Sequence, residues 1–484
     1  MKGPLFVWFF LTNKADDLEN RQLSVIIFLY QSVGKKRSEG KRMEKYQNIV
    51  IGFGKGGKTL AKALASKGES VLVVEKSTRM YGGTCINIGC IPSKSLIFNG
   101  ERGIDFTEAV ARKEKLTGML RAKNYHMISD EATGTVMDGT ARFLSNHQIE
   151  VTNNGEKVIV EGERIFINTG SEPIILPIKG LNTSRYLIDS TQAMDQEQLP
   201  EKLVIIGAGY IGLEFASMFN EYGSKVVVLD AHPEFLPRED EDIAQMILED
   251  MTNAGIEFHL GVSVDQVADQ ESTAAVTFTE NGQEVTIQAS KVLAATGRKP
   301  STASLGLENT DVKLTDRGAI AVDEYLRTDA DNIWAIGDVK GGLQFTYISL
   351  DDYRIIMDQL EGENKRTTNN RKAVPYSVFI TPTLSNVGLT EKQAKAQGVN
   401  YKLFKYMTSG VPKAQVLEDP KGVFKVLVDP ETDLILGASI YAEDSHEVIN
   451  LISLAMNGKL PYTLLRDQIY SHPTMSEALN DVLK

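Results

Sequence analysis

The chain has 484 residues, of which 42% are hydrophobic and 24% charged, with a formal net charge of −12 and two cysteines. That length predicts about three domains with sizeable cores, and the acidic balance argues against nucleic acid and anionic membrane surfaces, leaving small molecules as partners. Two cysteines in so long a chain exclude a disulfide-stapled scaffold and suit a reducing cytoplasm, where a disulfide persists only within a catalytic cycle.

Residues 1–42 do not fit the rest. Leu5 to Leu11 and Leu23 to Tyr30 are apolar runs too short to cross a bilayer, no small-residue cleavage site follows the first, and a basic stretch from Lys35 to Arg42 leads to Met43. The expectation is a native start at Met43 behind a non-native or disordered extension, with a membrane-surface tether as the competing reading.

Ile49 to Ile51 is predicted as a buried strand, followed by Gly52-Phe53-Gly54-Lys55-Gly56-Gly57, a helix over Lys58 to Lys67 and a strand over Val71 to Val74. Gly52, Gly54 and Gly57 permit a tight turn, close approach of a pyrophosphate and helix packing. Eighteen residues past Gly57 stands Glu75, placed to accept a ribose hydroxyl. A glycine-rich turn alone is weak evidence; here strand, helix, second strand and acid fall in register.

Gly82 to Lys94 reads GGTCINIGCIPSK and holds Cys85 and Cys90. In a regular helix, five positions put two residues about 7.5 Å apart and about 140° around the axis, which no disulfide spans. Gly89 lets the backbone leave helical geometry and Pro92 suits the first turn of a following helix, so the sulfurs can meet in a tight loop. A thiolate at Cys90 would face that helix's positive end with Lys94 one turn further in, and both lower a thiol pKa. Two cysteines without a second pair or a His cluster fall short of a zinc site, and a staple across so short a loop gains little chain entropy. A redox-active pair is the stronger reading.

A second cradle follows: a strand over Leu203 to Ile206, then Gly207-Ala208-Gly209-Tyr210-Ile211-Gly212, a helix, a strand over Lys225 to Leu229, and Asp230, again eighteen residues past the last glycine. Gly207, Gly209 and Gly212 repeat the pattern, and two cradles imply two dinucleotides. An acid at Asp230 repels a 2′-phosphate and binds a free 2′-hydroxyl, which favours NADH over NADPH; His232 and Arg238 soften that preference. Near the end, Thr474 and Glu477 within His472-Pro473-Thr474-Met475-Ser476-Glu477 are spaced as a capping box.

The string at Gly82 to Lys94 resembles the active-site signature of the flavin-dependent pyridine nucleotide-disulfide reductases, which include dihydrolipoamide dehydrogenase, glutathione reductase and mercuric reductase. The wording is similar to their reactive-chlorine-resistance branch, described as hypothiocyanous acid or copper(II) reductases, and the resemblance runs from Met43 to Lys484. It implies an α/β fold with two Rossmann-like domains and a C-terminal α+β dimerisation domain: FAD on residues 43–175 and 300–365, NAD(P)H on 176–299, the subunit interface on 366–484. By the same resemblance Gly83 and Thr84 join the FAD cradle. Asn168-Thr169-Gly170 and Ala295-Thr296-Gly297-Arg298 look like the two passages between nucleotide domains, contributing Thr169, Gly170, Gly297 and Arg298. Gly337 and Asp338 in NIWAIGD look like the second FAD motif.

Lys94 and Glu214 match an ion pair beside the flavin, and Tyr210 matches the side chain that covers the nicotinamide pocket until cofactor arrives. His472, oriented by Glu477, matches the acid–base partner of the outer cysteine across a homodimer interface; an imidazole titrates near neutral pH and suits thiolate chemistry. No cysteine lies near the C-terminus, so the pair must meet its oxidant directly. Phe345 and Tyr347, where lipoamide dehydrogenases carry small residues and a His, narrow the route to the thiols or pack at the dimer interface. The expectation is a cytoplasmic NADH-dependent flavoenzyme that reduces a small oxidant, hypothiocyanous acid first and copper(II) second, with no resident metal. Dihydrolipoamide dehydrogenase and a non-turnover flavin redox sensor are the alternatives.

Overall fold

The structure is a computed structural model in which residues 43–484 are described; the expected N-terminal extension lies outside them. Val71–Glu75 is buried at every position, and Asn48 to Ile51 of the strand Glu44–Ile51 are buried as well. Such continuous apolar runs need cover on both faces, as a parallel sheet provides. These two strands pair in parallel, Glu44–Ile51 pairs in parallel with Glu156–Ile167, and the sheet reaches seven strands. Gln148–Asn153 and Thr140–Phe143 extend it antiparallel, and the distant strand Ile333–Ala335 adds to Glu156–Ile167.

The helix Lys55–Ser66 covers this sheet with Leu60, Ala61, Leu64 and Ala65, a stripe at helical spacing. It starts three residues before the predicted Lys58, because Gly54 takes the extended cap position and Gly56 and Gly57 are already packed inside the first turn. A Cβ on Gly56 would stand 2.3 Å from the Ser349 carbonyl oxygen, on the helix Thr346–Leu360.

A second parallel sheet orders Glu257–Leu260, Lys225–Asp230, Lys202–Ile206, Lys291–Ala294 and Leu187–Ile188, with the helix Tyr210–Glu221 after the second glycine loop. A three-stranded antiparallel sheet, Ser263–Asp269, Ala274–Glu280 and Gln283–Ala289, intervenes before the last crossover. The two passages expected near residues 168–170 and 295–298 run side by side: Ser171–Pro173 pairs antiparallel with Arg298–Pro300. A further antiparallel sheet orders Tyr376–Val378, Leu384–Gly388, Ile435–Tyr441, Val423–Val428 and Lys402–Met407, packed against the helix Ser445–Asn457. Among the described residues no helix is long and apolar enough to cross a membrane.

Candidate active site

Each glycine loop sits at the carboxyl end of its first parallel strand, where open α/β sheets bind ligands. In the first, Gly52 has φ +96°, and a Cβ there would meet the Asn168 carbonyl oxygen at 2.4 Å. Gly57 N–H donates to Asn168 Oδ1 at 3.0 Å, and Asn168 Nδ2 donates to the Ile336 carbonyl at 2.8 Å, so Asn168 ties the loop to the strand before Gly337. Glu75 accepts from Phe53 N–H at 3.0 Å and from Ser77 N–H at 3.2 Å. Its carboxyl is pushed above the ordinary range by burial. Gly83 has φ +78° with its missing Cβ aimed at Gly54 Cα, which locks the cysteine stretch onto the loop.

Gly337 donates to the fully buried Asp352 at 2.7 Å, and Ser171 Oγ donates to Asp338 at 3.1 Å. Burial raises the Asp338 carboxyl above its usual range, partly offset by Ser171 and Arg298. Arg298 Nε donates to Ser171 Oγ at 2.9 Å, so both passages and the second motif meet at Ser171. Thr169 Oγ1 donates to the Ser301 carbonyl at 2.8 Å; a Cβ on Gly170 would meet only Thr84 Oγ1, at 4.0 Å.

Cys85 lies in a single helical turn, Thr84–Asn87, and Cys90 is the first residue of the helix Cys90–Glu101. Gly89 separates them at φ −133°, ψ −122°, and a Cβ there would stand 2.9 Å from the Thr84 carbonyl oxygen. Both are free thiols, Cys90 exposed and Cys85 half-buried. The Cys85 thiol donates to Cys90; this bond lowers the Cys90 thiol to about 6, with Thr346 and the Lys94 charge adding to the effect. The same bond, with burial, pushes the Cys85 thiol up. Cys90 Sγ is 3.7 Å from Thr346 Oγ1, the first residue of Thr346–Leu360, and nothing in the sequence marked that threonine.

Lys94 Nζ forms a 2.6 Å ion pair with Glu214 Oε2. Glu214 is buried, not on a solvated face, and its other oxygen accepts Phe379 N–H at 2.9 Å. Lys94 also stands 4.7 Å above the Phe379 ring. Phe379 belongs to the C-terminal third of the chain and carries no local signal. Lys58, likewise unmarked, is a buried amine donating to the Gly82 carbonyl at 3.2 Å and to Asn124, and burial lowers it to about 8. Phe345 and Tyr347 stack at 5.1 Å, and Tyr347 donates to the Pro375 carbonyl at 2.5 Å.

In the second loop Gly207 has φ +110° and would clash with the Ala295 carbonyl, and a Cβ on Gly212 would meet the Gly207 carbonyl oxygen at 2.0 Å. Gly209 faces open space, with no atom within 4 Å of its missing Cβ. Asp230 accepts the N–H of Ala208 and, at 2.7 Å, that of His232. Glu75 and Asp230 thus brace equivalent residues of their loops. The His232 ring is held by the Glu234 backbone at 3.0 Å. Gly297, at φ +107°, meets only Ile174 at 3.7 Å. Tyr210 opens its helix and donates to Glu239.

His472 Nδ1 is 2.8 Å from Glu477 Oε2, and the ring is 68% exposed. Glu477 Oε1 accepts Thr474 N–H at 3.1 Å while Thr474 Oγ1 accepts Glu477 N–H, so the capping box and the His contact coexist. Within the chain His472 pairs with Glu477 and not with either thiol.

The pyridine nucleotide-disulphide oxidoreductase profile matches residues 46–352, and the dimerisation domain of the same family matches residues 374–483. A probable pyridine nucleotide-disulfide oxidoreductase, RclA of Escherichia coli, is 48% identical over 440 residues, covering 91% of this chain and 99% of its own. A mercuric reductase of Streptomyces lividans is 35% identical, covering 90% and 94%. The solved Cu(II) complex of the HOCl-induced flavoprotein disulfide reductase RclA from Escherichia coli superposes with a TM-score of 0.88 at 48% identity, over 91% of this chain and 99% of that one. The chain belongs to the pyridine nucleotide-disulphide oxidoreductase family and is an FAD-dependent, NAD(P)H-oxidising flavoprotein disulfide reductase.

Proposed function

We propose that this chain uses NADH to reduce a small electrophilic oxidant of the hypothiocyanous acid type, with Cys85 and Cys90 as the redox pair. The observation that carries the reading is the setting of the thiol pair: Cys90 opens a helix with its sulfur 3.7 Å from Thr346 Oγ1, and Lys94 of that helix is held by Glu214 at 2.6 Å, surroundings that lower the Cys90 thiol while the neighbouring Cys85 is raised. The residues fit two dinucleotides: in the second loop the side of Gly209 is open while Gly207 and Gly212 are tightly packed, and beside the tightly packed first loop the side of Gly170 is open toward Thr84.

Bound FAD supplies the two-electron relay from nicotinamide to disulfide. Cleavage of the Cys85–Cys90 bond leaves a thiolate on Cys90 and, after one proton, a thiol on Cys85. The Glu214-held Lys94 ammonium then offsets the negative charge beside Cys90. His472 of the partner subunit, oriented by that subunit's Glu477, takes the proton of the Cys85 thiol as that sulfur attacks the sulfur of HOSCN, and returns it to the departing hydroxide, which leaves as water. Cys90 attacks the Cys85 sulfur, thiocyanate departs and the disulfide closes. The sum is NADH and HOSCN giving NAD⁺, water and thiocyanate.

A homodimer is supported by the dimerisation-domain match and by an apolar surface near His472. Leu454, Leu460, Leu464 and Ile469 are exposed there, the last at 93%, around a cleft of about 640 Å³ lined by three of them. Exposed apolar area of this kind marks an interaction site. Phe345 and Tyr347 support a small oxidant over a lipoyl arm, since their stacked rings stand next to Thr346. The test is NADH oxidation by purified holoenzyme against hypothiocyanite, Cu(II), Hg(II) and lipoamide. Fastest turnover with lipoamide, or no multiple turnover with any oxidant, would overturn the reading.

A further inference from the structure

Glu239 is 1% exposed, belongs to no glycine loop and touches neither thiol. Its carboxylate accepts the Tyr210 hydroxyl, the Tyr376 hydroxyl at 3.0 Å and Asn386 Nδ2 at 3.1 Å. Tyr376 and Asn386 are cross-strand partners in the C-terminal sheet, so one carboxylate joins that sheet to the helix of the second glycine loop. A buried carboxylate is tolerated only when its oxygens are satisfied, and the charge strengthens each bond it accepts.

Tyr210 sits at the edge of the reaction centre. It is four residues before Glu214 on the same helix face, and Glu214 holds Lys94. The Tyr210 ring stacks on Tyr376 at 5.8 Å and Tyr376 stacks on Phe345 at 6.2 Å, next to the Thr346 that contacts Cys90. The segment carrying Glu239 begins at Asp230, and Lys392 pins it through Glu234 at 2.6 Å and the Pro237 carbonyl at 2.8 Å. Both ends of a dinucleotide on the second loop would bear on this one segment.

We propose that Glu239 is a positioning residue that latches Tyr210 closed, so that NADH enters the nicotinamide pocket only by breaking the Tyr210–Glu239 hydrogen bond. This rests on the reading of Tyr210 as the side chain that covers the pocket. A site closed most of the time binds with an apparent affinity reduced by its open fraction. Weakening the latch therefore tightens apparent binding instead of loosening it.

The test is anaerobic stopped-flow reduction of the FAD-replete enzyme over a range of NADH concentrations, for wild type, Glu239→Gln, Tyr210→Phe and the double variant. Glu239→Gln keeps the shape and removes the charge; the apparent Kd for NADH should fall about tenfold, the size expected for losing a charge-assisted bond. Tyr210→Phe keeps the ring, leaves Glu239 two donors and should shift the Kd the same way if Glu239→Gln proves insoluble. The double variant should gain no more than the larger single change, the signature of one shared interaction. An unchanged or weaker Kd in soluble variants, or additive effects, would overturn the latch alone. Wild-type flavin that NADH fails to reduce would overturn the parent reading and the latch with it.

Discussion

Lys94 Nζ lies 2.6 Å from Glu214 Oε2, and this pair fastens the helix that starts at Cys90 to the helix that follows the second glycine loop. Phe379 N–H on the other carboxylate oxygen brings in the C-terminal third of the chain. Three segments far apart in sequence therefore converge on one carboxylate.

Removing that carboxylate should be costly. Glu214→Ala strands the Lys94 ammonium, which is only 22% exposed, and leaves Phe379 N–H without its acceptor. Breaking a buried ion pair costs about 3 kcal/mol, so thermal unfolding should show a clear drop in Tm, and reduction of the disulfide by NADH should slow at least about tenfold. An unshifted Tm with unchanged reduction would refute the role of the pair.

The thiol pair predicts a definite titration. In the reduced enzyme Cys90 is lowered to about 6 while Cys85 is raised, so one thiolate per chain persists at neutral pH and disappears as pH falls through about 6. Because the folded value lies below the unfolded one, Cys90 contributes stability that is full above the unfolded value, about 8.5, and is lost as pH falls through the folded one. Cys85→Ala removes the donor, and thiolate ultraviolet absorbance should then titrate at higher pH. A titration still centred near 6 would show that Cys85 does not set it.

Two glycines should respond in opposite ways to an added methyl. Gly83→Ala puts a Cβ 2.6 Å from Gly54 Cα at φ +78°, a backbone clash that no side chain can relieve. It should cost at least about 2 kcal/mol and release FAD on gel filtration. Gly209→Ala meets nothing within 4 Å at φ −72°, so the protein should fold and keep FAD while the KM for NADH rises. Equal behaviour of the two variants would contradict this assignment of the loops.

The location of His472 makes subunit mixing informative. If each site combines the thiols of one chain with His472 of the partner subunit, homodimers of Cys85→Ala and of His472→Ala are both impaired. Random mixing gives half heterodimers, each with one intact site, and restores about a quarter of wild-type turnover. No recovery in verified heterodimers would place catalysis within a single chain.

Cys85→Ser gives a further check on the order of events. It should retain FAD and its reduction by NADH yet lose turnover with any oxidant, because the attacking sulfur is gone while Cys90, Lys94 and Glu214 remain. Full activity in that variant would refute the scheme.

What the sequence determined by itself is local in origin. The glycine loops, the strands before them and the acids eighteen residues beyond are readable because β-strand and turn chemistry act over a few residues; that Glu75 and Asp230 also accept a backbone N–H of their own loops came from the structure. The Gly89 break and the helix starting at Cys90 follow from the same short-range rules. Helix starts shifted where packing intervened, as at Lys55, because Ser349 and Ile336 press against Gly56 from segments that no local rule anticipates. Only the tertiary structure supplied Thr346 beside Cys90, Phe379 on Glu214 and Glu239 on Tyr210. A lone threonine, phenylalanine or glutamate has no periodicity or spacing to betray it; its partners lie more than a hundred residues away in two of these three cases, and only packing of the sheets brings them within hydrogen-bonding reach.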